Sequence, residues 1–312
     1  MHERVPKPVP TGPMHRTDVQ IALVVAMGVV WGAAFPANRY AMTHGLLPLG
    51  YTFWVFVVAS VVGAAVCVAR GIAPHMTRAF VLFTLFTGIG RCAIPVTMIS
   101  IAVQHIPAGL MVMISSLSGI VVYGGAVAMK REKFHWVRFA GVVSGLIGVG
   151  LILVPGSSLP DPEALPWVGF AFGVPVLFAI TTLTIDYKRP ADTPTLVLTA
   201  GMFVWAAIAL LPFSIASDSF YWPNFPPQLL DDTMILHGTI NGIAFIGLFE
   251  LIRIAGVVIA TQTTYITPVA GVIWGVVLLG ERPSPWLWAA LGFIVGGLFL
   301  VNLIRRATRP RS

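Results

Sequence analysis

Charged residues are scarce in this chain. Asp, Glu, Lys and Arg make up only 10% of its 312 residues, whereas 57% are hydrophobic, and the mean hydropathy is +0.87. A water-soluble domain carries about 25% charged residues. The scarcity of charge therefore excludes a soluble globular protein and predicts an integral membrane protein surrounded by a lipid bilayer.

Cysteine is rarer still. The only two, Cys67 and Cys92, both lie inside apolar runs, which excludes a disulfide framework and a zinc knuckle. The net charge of +7 would suit nucleic acid, but cytoplasmic loops of membrane proteins are rich in Lys and Arg for topological reasons. We therefore expect no nucleic-acid partner.

Several enzyme signatures are missing. The sequence has no Gly-rich Lys-Ser/Thr loop for phosphate, no His-Glu-x-x-His pair for a metal, and no pair of aspartates at mid-membrane depth. A Ser-Leu-Ser-Gly stretch at 116–119 lacks a mid-depth histidine to activate a serine, because all seven histidines fall in tails, loops or the ends of apolar runs. We expect no enzyme activity, no metal and no cofactor.

Long apolar runs, by contrast, fill the chain. A membrane-spanning helix needs about 20 apolar residues, while β-barrel strands would alternate and be about half as long. The runs therefore predict an all-α integral membrane protein with ten transmembrane helices. Their expected bounds are 19–41, 48–69, 79–103, 107–129, 135–154, 166–188, 194–216, 233–254, 257–280 and 285–304.

The positive charges predict the orientation. With the N-terminal tail 1–18 inside, 16 of the 19 Lys and Arg residues fall in inner segments and only Arg282 in an outer one, while Arg39 and Arg91 lie within apolar runs. Lys and Arg concentrate in cytoplasmic loops. We therefore expect a multi-pass protein of a bacterial-type plasma (inner) membrane, with both termini, including the basic tail 305–312, in the cytoplasm.

The two halves of the chain repeat each other. The fifth run carries two glycines four residues apart, Gly141 and Gly145, and the tenth carries Gly292 and Gly296. A polar corner containing a glutamate precedes each pair. Glycines at this spacing let helix backbones approach closely, so these faces permit a homodimer but do not require one.

An odd number of crossings per half inverts the second half in the membrane. The expected units are a first repeat at 19–154, an outer linker at 155–165 and a second repeat at 166–304. Inverted five-helix repeats recur in secondary transporters, which bind their substrate near the membrane midplane between the repeats. The architecture therefore favours transport over a duplication used only for packing.

Short motifs in matching order connect the chain to a known family. They are Trp-Gly-Ala-Ala-Phe-Pro at 31–36, Ile-Pro-Ala-Gly at 106–109, Ser-Ser-Leu at 115–117, Thr-Pro at 267–268 and Leu-Gly-Glu-Arg at 279–282. With these motifs the chain resembles the drug/metabolite transporter superfamily with two EamA-type repeats. Four features depart from the pattern. Gly119 stands where the second half has Pro268, and Met-Lys-Arg-Glu at 129–132 replaces Leu-Gly-Glu. The second run, with Tyr-Thr-Phe-Trp at 51–54, lacks the arginine often seen there, and Arg91 is not part of the pattern.

The resemblance implies a ten-helix bundle with both ends cytoplasmic and a central cavity that opens alternately to each side. Members move amino acids, nucleotide-type metabolites, vitamins or drugs, mostly outward. A small-molecule substrate is therefore the expected partner.

Arg91 is the most unusual charged residue, because it lies about twelve residues into the third apolar run. Burying a guanidinium at that depth costs at least about 2.5–3.5 kcal/mol. Its planar fork of five donors suits a carboxylate or a phosphate. Two interpretations stay open: Arg91 binds an anionic ligand group, or it is structural and bonds to carbonyls that Pro95 frees.

Four other ionisable residues lie in apolar runs. Arg39 is near the outer end of the first run, where we expect it to extend to the headgroups. Asp186 neighbours two basic residues at an inner boundary. Glu250 and Arg253 are three residues apart and therefore able to pair on one helix face. We consider Glu250, Arg253 and Asp186 as gate or coupling residues, with a plain boundary or ion-pair role as the alternative.

Uncharged residues complete the candidate site. Six could line a cavity and offer stacking surface or hydrogen bonds: Trp31, Asn38, Asn241, Gln262, Thr264 and Tyr265. Four prolines within the runs each free a backbone carbonyl, which either kinks a helix or lines a cavity: Pro36, Pro95, Pro175 and Pro268.

These features predict a secondary transporter that exports a small metabolite, an amino acid or a related organic anion or zwitterion, by alternating access. One alternative is a membrane receptor or sensor that binds a ligand without moving it, although the predicted tails are short for an output domain. A further alternative is an intramembrane lipid-modifying enzyme, which would need a mid-depth acid/base pair.

Overall fold

A computed structural model describes residues 17–73, 76–152, 162–188, 190 and 193–303. Within these ranges every regular element is helical. The first half contains α1 (Thr17–Gly32), α2 (Ala34–Thr43), α3 (Pro48–Ala69), α4 (Arg78–Thr87), a π-helical segment (Gly88–Ala93), α5 (Ile94–Ala102), α6 (Ala108–Ser116), α7 (Ser118–Ala128) and α8 (Trp136–Ile152).

The second half follows the same plan. It contains a 3₁₀ turn (Pro162–Ala164), α9 (Leu165–Ala171), α10 (Gly173–Lys188), α11 (Thr195–Ala216), α12 (Leu229–Ala255), α13 (Val257–Ala260), α14 (Thr263–Leu279) and α15 (Pro285–Leu303). The expected N-terminal tail before 17, the tail after 303 and most of the linker 155–165 lie outside the described residues.

Each apolar run of the sequence coincides with one helix or with consecutive helical segments. Among the described residues, eight such units are long and apolar enough to cross a membrane. The helices of the fifth and ninth runs, Trp136–Leu151 and Thr263–Leu279, are apolar but shorter. The prediction of an all-helical membrane protein is therefore confirmed at this level.

Proline explains where several helices are interrupted. Its missing N–H and its ring disturb the carbonyl four residues earlier. Accordingly, α1 ends at Gly32, four residues before Pro36, and α9 ends at Ala171, four before Pro175. Pro95 sits four residues after Arg91, which lies in the π-helical segment. In the ninth run α14 continues through Pro268.

One helix begins earlier than its hydropathy predicts. We expected the eighth crossing to start at 233, but α12 starts at Leu229. Gln228 and Asp231 form a capping box around that start. Asp231 Oδ2 also accepts hydrogen bonds from the backbone N and side-chain Nδ2 of Asn224. The acidic first turn lowered the local hydropathy and hid the helix start.

Helices of the two halves interleave. α1 packs on α14, where a Cβ added to Gly32 would lie 2.8 Å from the backbone N of Gly271. α8 packs on α15, where a Cβ on Gly297 would lie 2.5 Å from the carbonyl oxygen of Gly141. Glycine therefore permits both contacts. Around Gly292 and Gly296, a Cβ would meet no described atom within 4 Å.

The centre of the bundle is built around α6. Leu110, Met111, Met113 and Ile114 of this helix have no solvent exposure, and α6 contacts α2, α10, α14 and α15. Residues from both halves therefore surround the same core, and the cavity described next lies beside it.

Candidate functional site

A cavity of about 500 Å³ lies between the two halves. Its walls come from helices of both repeats, and Trp31, Asn38, Arg91, Phe178 and Asn241 are among the lining residues. A volume of this size is typical of small-molecule sites, which occupy roughly 300–1,000 Å³.

The cavity extends to one end of the bundle. There it is lined by Arg131, Glu132, Arg138, Thr263 and Thr264, and Arg131 is exposed. Arg138 is buried and pairs with Glu132. We call this end, with its polar mouth, the Glu132 end.

Arg91 projects from the π-helical segment into the cavity wall. Its Nη1 donates a hydrogen bond of 3.2 Å to Thr182 Oγ1. The guanidinium carbon lies 5.5 Å from the ring centroid of Phe178 and 5.8 Å from that of Phe245. Among the described residues no ion pair involves Arg91. The aromatic faces stabilise the cation. The fork of N–H donors has no anionic partner among the described residues.

Four predicted cavity residues join Arg91. Trp31, Asn38, Asn241 and Thr264 all line the same space. The ring of Trp31 lies 5.0 Å from that of Phe245, so two aromatic side chains form one wall. The cavity thus combines Arg91, which has no anionic partner among the described residues, with aromatic rings and amide groups.

Asn38 has an unsatisfied polar atom. Its Nδ2 donates to Ser100 Oγ at 3.0 Å, and Ser100 also bonds to Thr52. The Asn38 Oδ1 atom is buried and has no hydrogen-bond partner. Which amide atom is oxygen follows from the hydrogen-bond network, but either assignment leaves one amide atom unpaired.

Gln262 and Tyr265 are not among the residues that line this cavity. Gln262 occupies the N-cap position of α14. The hydroxyl of Tyr265 donates to the carbonyl of Leu298 at 3.5 Å, and its ring packs on Phe299. Tyr265 therefore supports the packing of α14 on α15 in this conformation.

The gate and coupling candidates lie elsewhere. Arg253 Nε donates to Glu250 Oε2 at 2.8 Å, and Glu250 also pairs with Arg70 at the end of α3. Neither Glu250 nor Arg253 lines the cavity, so the geometry favours the ion-pair alternative for them. The side chain of Asp186 lies outside the described residues.

The expectation for Arg39 is wrong. Its guanidinium does not extend freely towards headgroups; its Nε lies 3.4 Å from Glu281 Oε1. Arg39 Nη1 also donates to the carbonyl of Val103 at 3.0 Å and to that of Ile106. The carboxylate is 242 positions away in the chain, so no local pattern could predict this pair.

Glu281 completes this network of polar contacts. Its Oε1 accepts the backbone N–H of Ala108 at 2.6 Å and its Oε2 accepts that of Gly109 at 3.1 Å. These are the first N–H groups of α6, which have no partner inside the helix. This polar network joins α2, the 103–106 segment, α6 and the α14–α15 loop. We call the end of the bundle that contains it the Glu281 end.

Sequence reasoning missed His237. The histidine is buried in α12, lines the cavity, and its Nδ1 lies 2.9 Å from the hydroxyl of Tyr51. We placed it at the end of a run because the start of α12 was predicted four residues late. Phe178, Phe245 and Thr182 were also missed, since nothing distinguishes them from other residues of apolar runs.

Two segments of the chain, 19–154 and 165–303, match the model of the EamA-like transporter family. The chain belongs to this family. The resemblance to the drug/metabolite transporters is thereby confirmed, and the protein is a multi-pass membrane protein of a family of small-molecule transporters. The family is one of transporters and not of enzymes.

Named relatives of this EamA-like transporter cover most of its length. A probable terminal-alkyne amino-acid exporter of Streptantibioticus cattleyicolor is 24% identical over 286 residues, 90% of this chain and 92% of its own. The uncharacterized inner membrane transporter YedA of Escherichia coli strain K12 is 26% identical, with 89% of each chain covered. A riboflavin transporter of Brucella anthropi is 24% identical, with 89% and 97% covered.

A solved crystal structure shares the fold of this EamA-like transporter. It superposes with a TM-score of 0.64 and covers 92% of this chain and 99% of its own, at 21% sequence identity. At that identity the likeness concerns the fold alone.

Proposed function

We propose that this EamA-like transporter is a secondary transporter that exports a small organic anion or zwitterion, such as an amino acid, and that Arg91 binds the anionic group. The observation that carries the proposal is the position of Arg91. It lies on the wall of a cavity shared by both halves, with one hydroxyl and two ring faces as partners.

The physical argument is one of compensation. A cation in a membrane span is costly unless it faces water, a counter-charge or a ligand. Arg91 faces a cavity, and a planar carboxylate matches its fork in a bidentate geometry. Trp31, Phe178 and Phe245 would then contact the apolar part of the substrate.

One relative supports this class of substrate, because its name gives an amino acid as the exported compound. Another is named for riboflavin, which is neutral and has no carboxylate, and the test panel below therefore includes both kinds of compound. Glu132 and the three arginines around the cavity give it a net positive charge at its polar sites, which favours entry of an anionic solute.

The proposal includes the topology that makes transport two-sided. Ten crossings in two inverted repeats, with both termini in the cytoplasm, would place the Glu132 end on the cytoplasmic side. Rocking of the repeats would then expose the cavity to each side in turn. Since α1 packs on α14 and α8 on α15, each of these pairs, made of one helix from each repeat, would move as one unit.

Counterflow in proteoliposomes tests the proposal. The vesicles would be loaded with unlabelled compounds of a panel of amino acids, their 2-oxo acids and riboflavin, and uptake of labelled compound measured. Arg91→Ala should lower transport about 10–100-fold, since a hydrogen bond to a charged group is worth about 1.5–3 kcal/mol. Arg91→Lys keeps the charge but not the fork and should retain part of the activity.

A matched control removes an arginine outside the cavity. Arg78 is exposed at the start of α4, and Arg78→Ala should transport like the wild type. Normal transport affinity in Arg91→Ala, at equal membrane abundance, would show that Arg91 is structural. A ligand that raises the thermal midpoint but shows no flux would favour a receptor.

A further inference from the structure

Two glutamates occupy equivalent corners of the two repeats but have different partners. Glu132 follows α7 and Glu281 follows α14, 149 positions later. Glu281 bonds to the start of α6 in the opposite repeat. Glu132 instead pairs with Arg138 of its own repeat and lines the cavity mouth.

These corners lie at opposite ends of the bundle. The first turn of α14, with Thr263 and Thr264, lines the cavity together with Glu132, whereas Glu281 follows the last residue of α14. A helix of 17 residues is about 25 Å long. The cavity is therefore open towards Glu132, while Glu281 lies in the polar network that closes the opposite end.

At the Glu281 end, glycines leave space for the carboxylate of Glu281. A Cβ added to Gly275 would lie 2.5 Å from Glu281 Oε2, and one on Gly109 would lie 3.3 Å from it. Gly280 turns the chain at φ +66, a conformation that glycine adopts without steric cost. Together these glycines let Glu281 reach α6 and Arg39.

We propose that Glu281 and Glu132 are reciprocal gate residues. Glu281 holds the Glu281 end closed in the present conformation; in the opposite conformation it leaves α6, and Glu132 leaves Arg138 to bind backbone N–H groups at the start of the ninth crossing. The inference rests on the alternating access of the proposed function.

The sequence of the second repeat fits this exchange. The offset of 149 positions that relates Glu132 to Glu281 also relates Ala108 and Gly109, whose N–H groups Glu281 binds, to Val257 and Val258 at the start of the ninth crossing. The mirrored gate therefore pairs a glutamate with a helix start, as the closed gate does.

Cysteine labelling tests the exchange without any substrate. In a Cys67→Ala, Cys92→Ala background, Ser116→Cys places one thiol in the cavity wall. A membrane-impermeant maleimide is applied from the Glu281 side and, in inverted vesicles, from the Glu132 side. Glu281→Gln should raise the labelling rate from the Glu281 side about tenfold, because the closed state loses hydrogen bonds to a charged group.

Glu132→Gln should have the opposite effect and lower labelling from the Glu281 side. Gly275→Ala should act like Glu281→Gln while keeping the carboxylate, which covers the case in which Glu281→Gln does not fold. Glu163→Gln, an exposed glutamate of the 3₁₀ turn, should label like the background.

Unchanged labelling in both Glu281→Gln and Gly275→Ala would overturn the proposal. A rise in Glu132→Gln equal to that in Glu281→Gln would overturn the reciprocal role. Either result would leave the counterflow test of Arg91 unaffected, so failure of the gate and failure of the transport proposal are distinguishable.

Discussion

Two arginines in apolar runs have opposite surroundings. At the Glu281 end, Arg39 contacts a carboxylate and donates to two backbone carbonyls. In the cavity, Arg91 has one hydroxyl and the faces of two phenylalanines. The sequence treats both as isolated cations within apolar segments, and only the fold separates them.

The contrast shows how a buried charge divides between structure and function. A charge whose partners are supplied by the protein stabilises the fold, because removing one partner leaves the other unpaired. A charge without such a partner lowers the stability of the fold to some extent, but it stays available to bind a ligand. We therefore expect Arg39 and Arg91 variants to differ in the sign of their effects on stability as well as in transport.

The largest effect is expected for Arg91→Met. Transport should fall on the order of 100-fold, the loss of a strong charge-assisted hydrogen bond, while the thermal midpoint should stay equal or rise because an uncompensated cation is replaced by an apolar side chain. Counterflow and a thermal unfolding scan on the same preparation measure both. A clear drop in the midpoint would contradict the comparison.

The reverse pattern is expected for Arg39→Met. Losing the ion pair and the carbonyl contacts should cost about 1–3 kcal/mol of stability, seen as a midpoint lower by several degrees. Substrate affinity, measured by the ligand-induced shift in midpoint, should remain within a few-fold of the wild type. Equal midpoints would show that the polar network at the Glu281 end contributes little to the stability of the fold.

A smaller effect is expected for Phe245→Leu, which removes one ring beside Arg91 and Trp31. Cation–π contacts contribute about 0.5–2 kcal/mol, so substrate affinity should fall several-fold. Phe80→Leu, a buried phenylalanine of α4 that does not line the cavity, serves as the matched control. An equal loss in both variants would assign the effect to packing and not to the site.

The smallest effect is expected for Glu250→Gln. The ion pairs of Glu250 with Arg70 and Arg253 are partly exposed, and such pairs are worth about 0–1 kcal/mol. Transport and its dependence on a proton gradient should therefore be unchanged. Loss of gradient-driven transport in this variant would restore Glu250 as a coupling residue.

Much of the fold was readable from the sequence for simple physical reasons. Apolar length predicted helices, and Pro36 and Pro175 each lie four residues after the helix end that they cause. The start of α12 was missed because Asp231 and Asp232 lower the hydropathy, although Asp231 caps the helix.

The candidate site was predicted less completely. Arg91, Trp31 and Asn38 stood out because polar or amphipathic side chains are unusual in apolar runs. His237 was lost with the misplaced start of α12, and Phe178 and Phe245 gave no signal. The Arg39–Glu281 pair depends on a contact between the two repeats, which a single sequence does not encode in any local pattern.

The most direct test of the central claim asks whether Arg91 recognises the negative charge of the ligand. For the best-transported acid of the panel and its primary amide, binding would be compared in the wild type and in Arg91→Gln by ligand-induced thermal shift. We predict that the wild type prefers the acid by about tenfold or more and that Arg91→Gln binds the two alike. An undiminished preference for the acid in Arg91→Gln would contradict the assignment of Arg91 as the anion-binding residue.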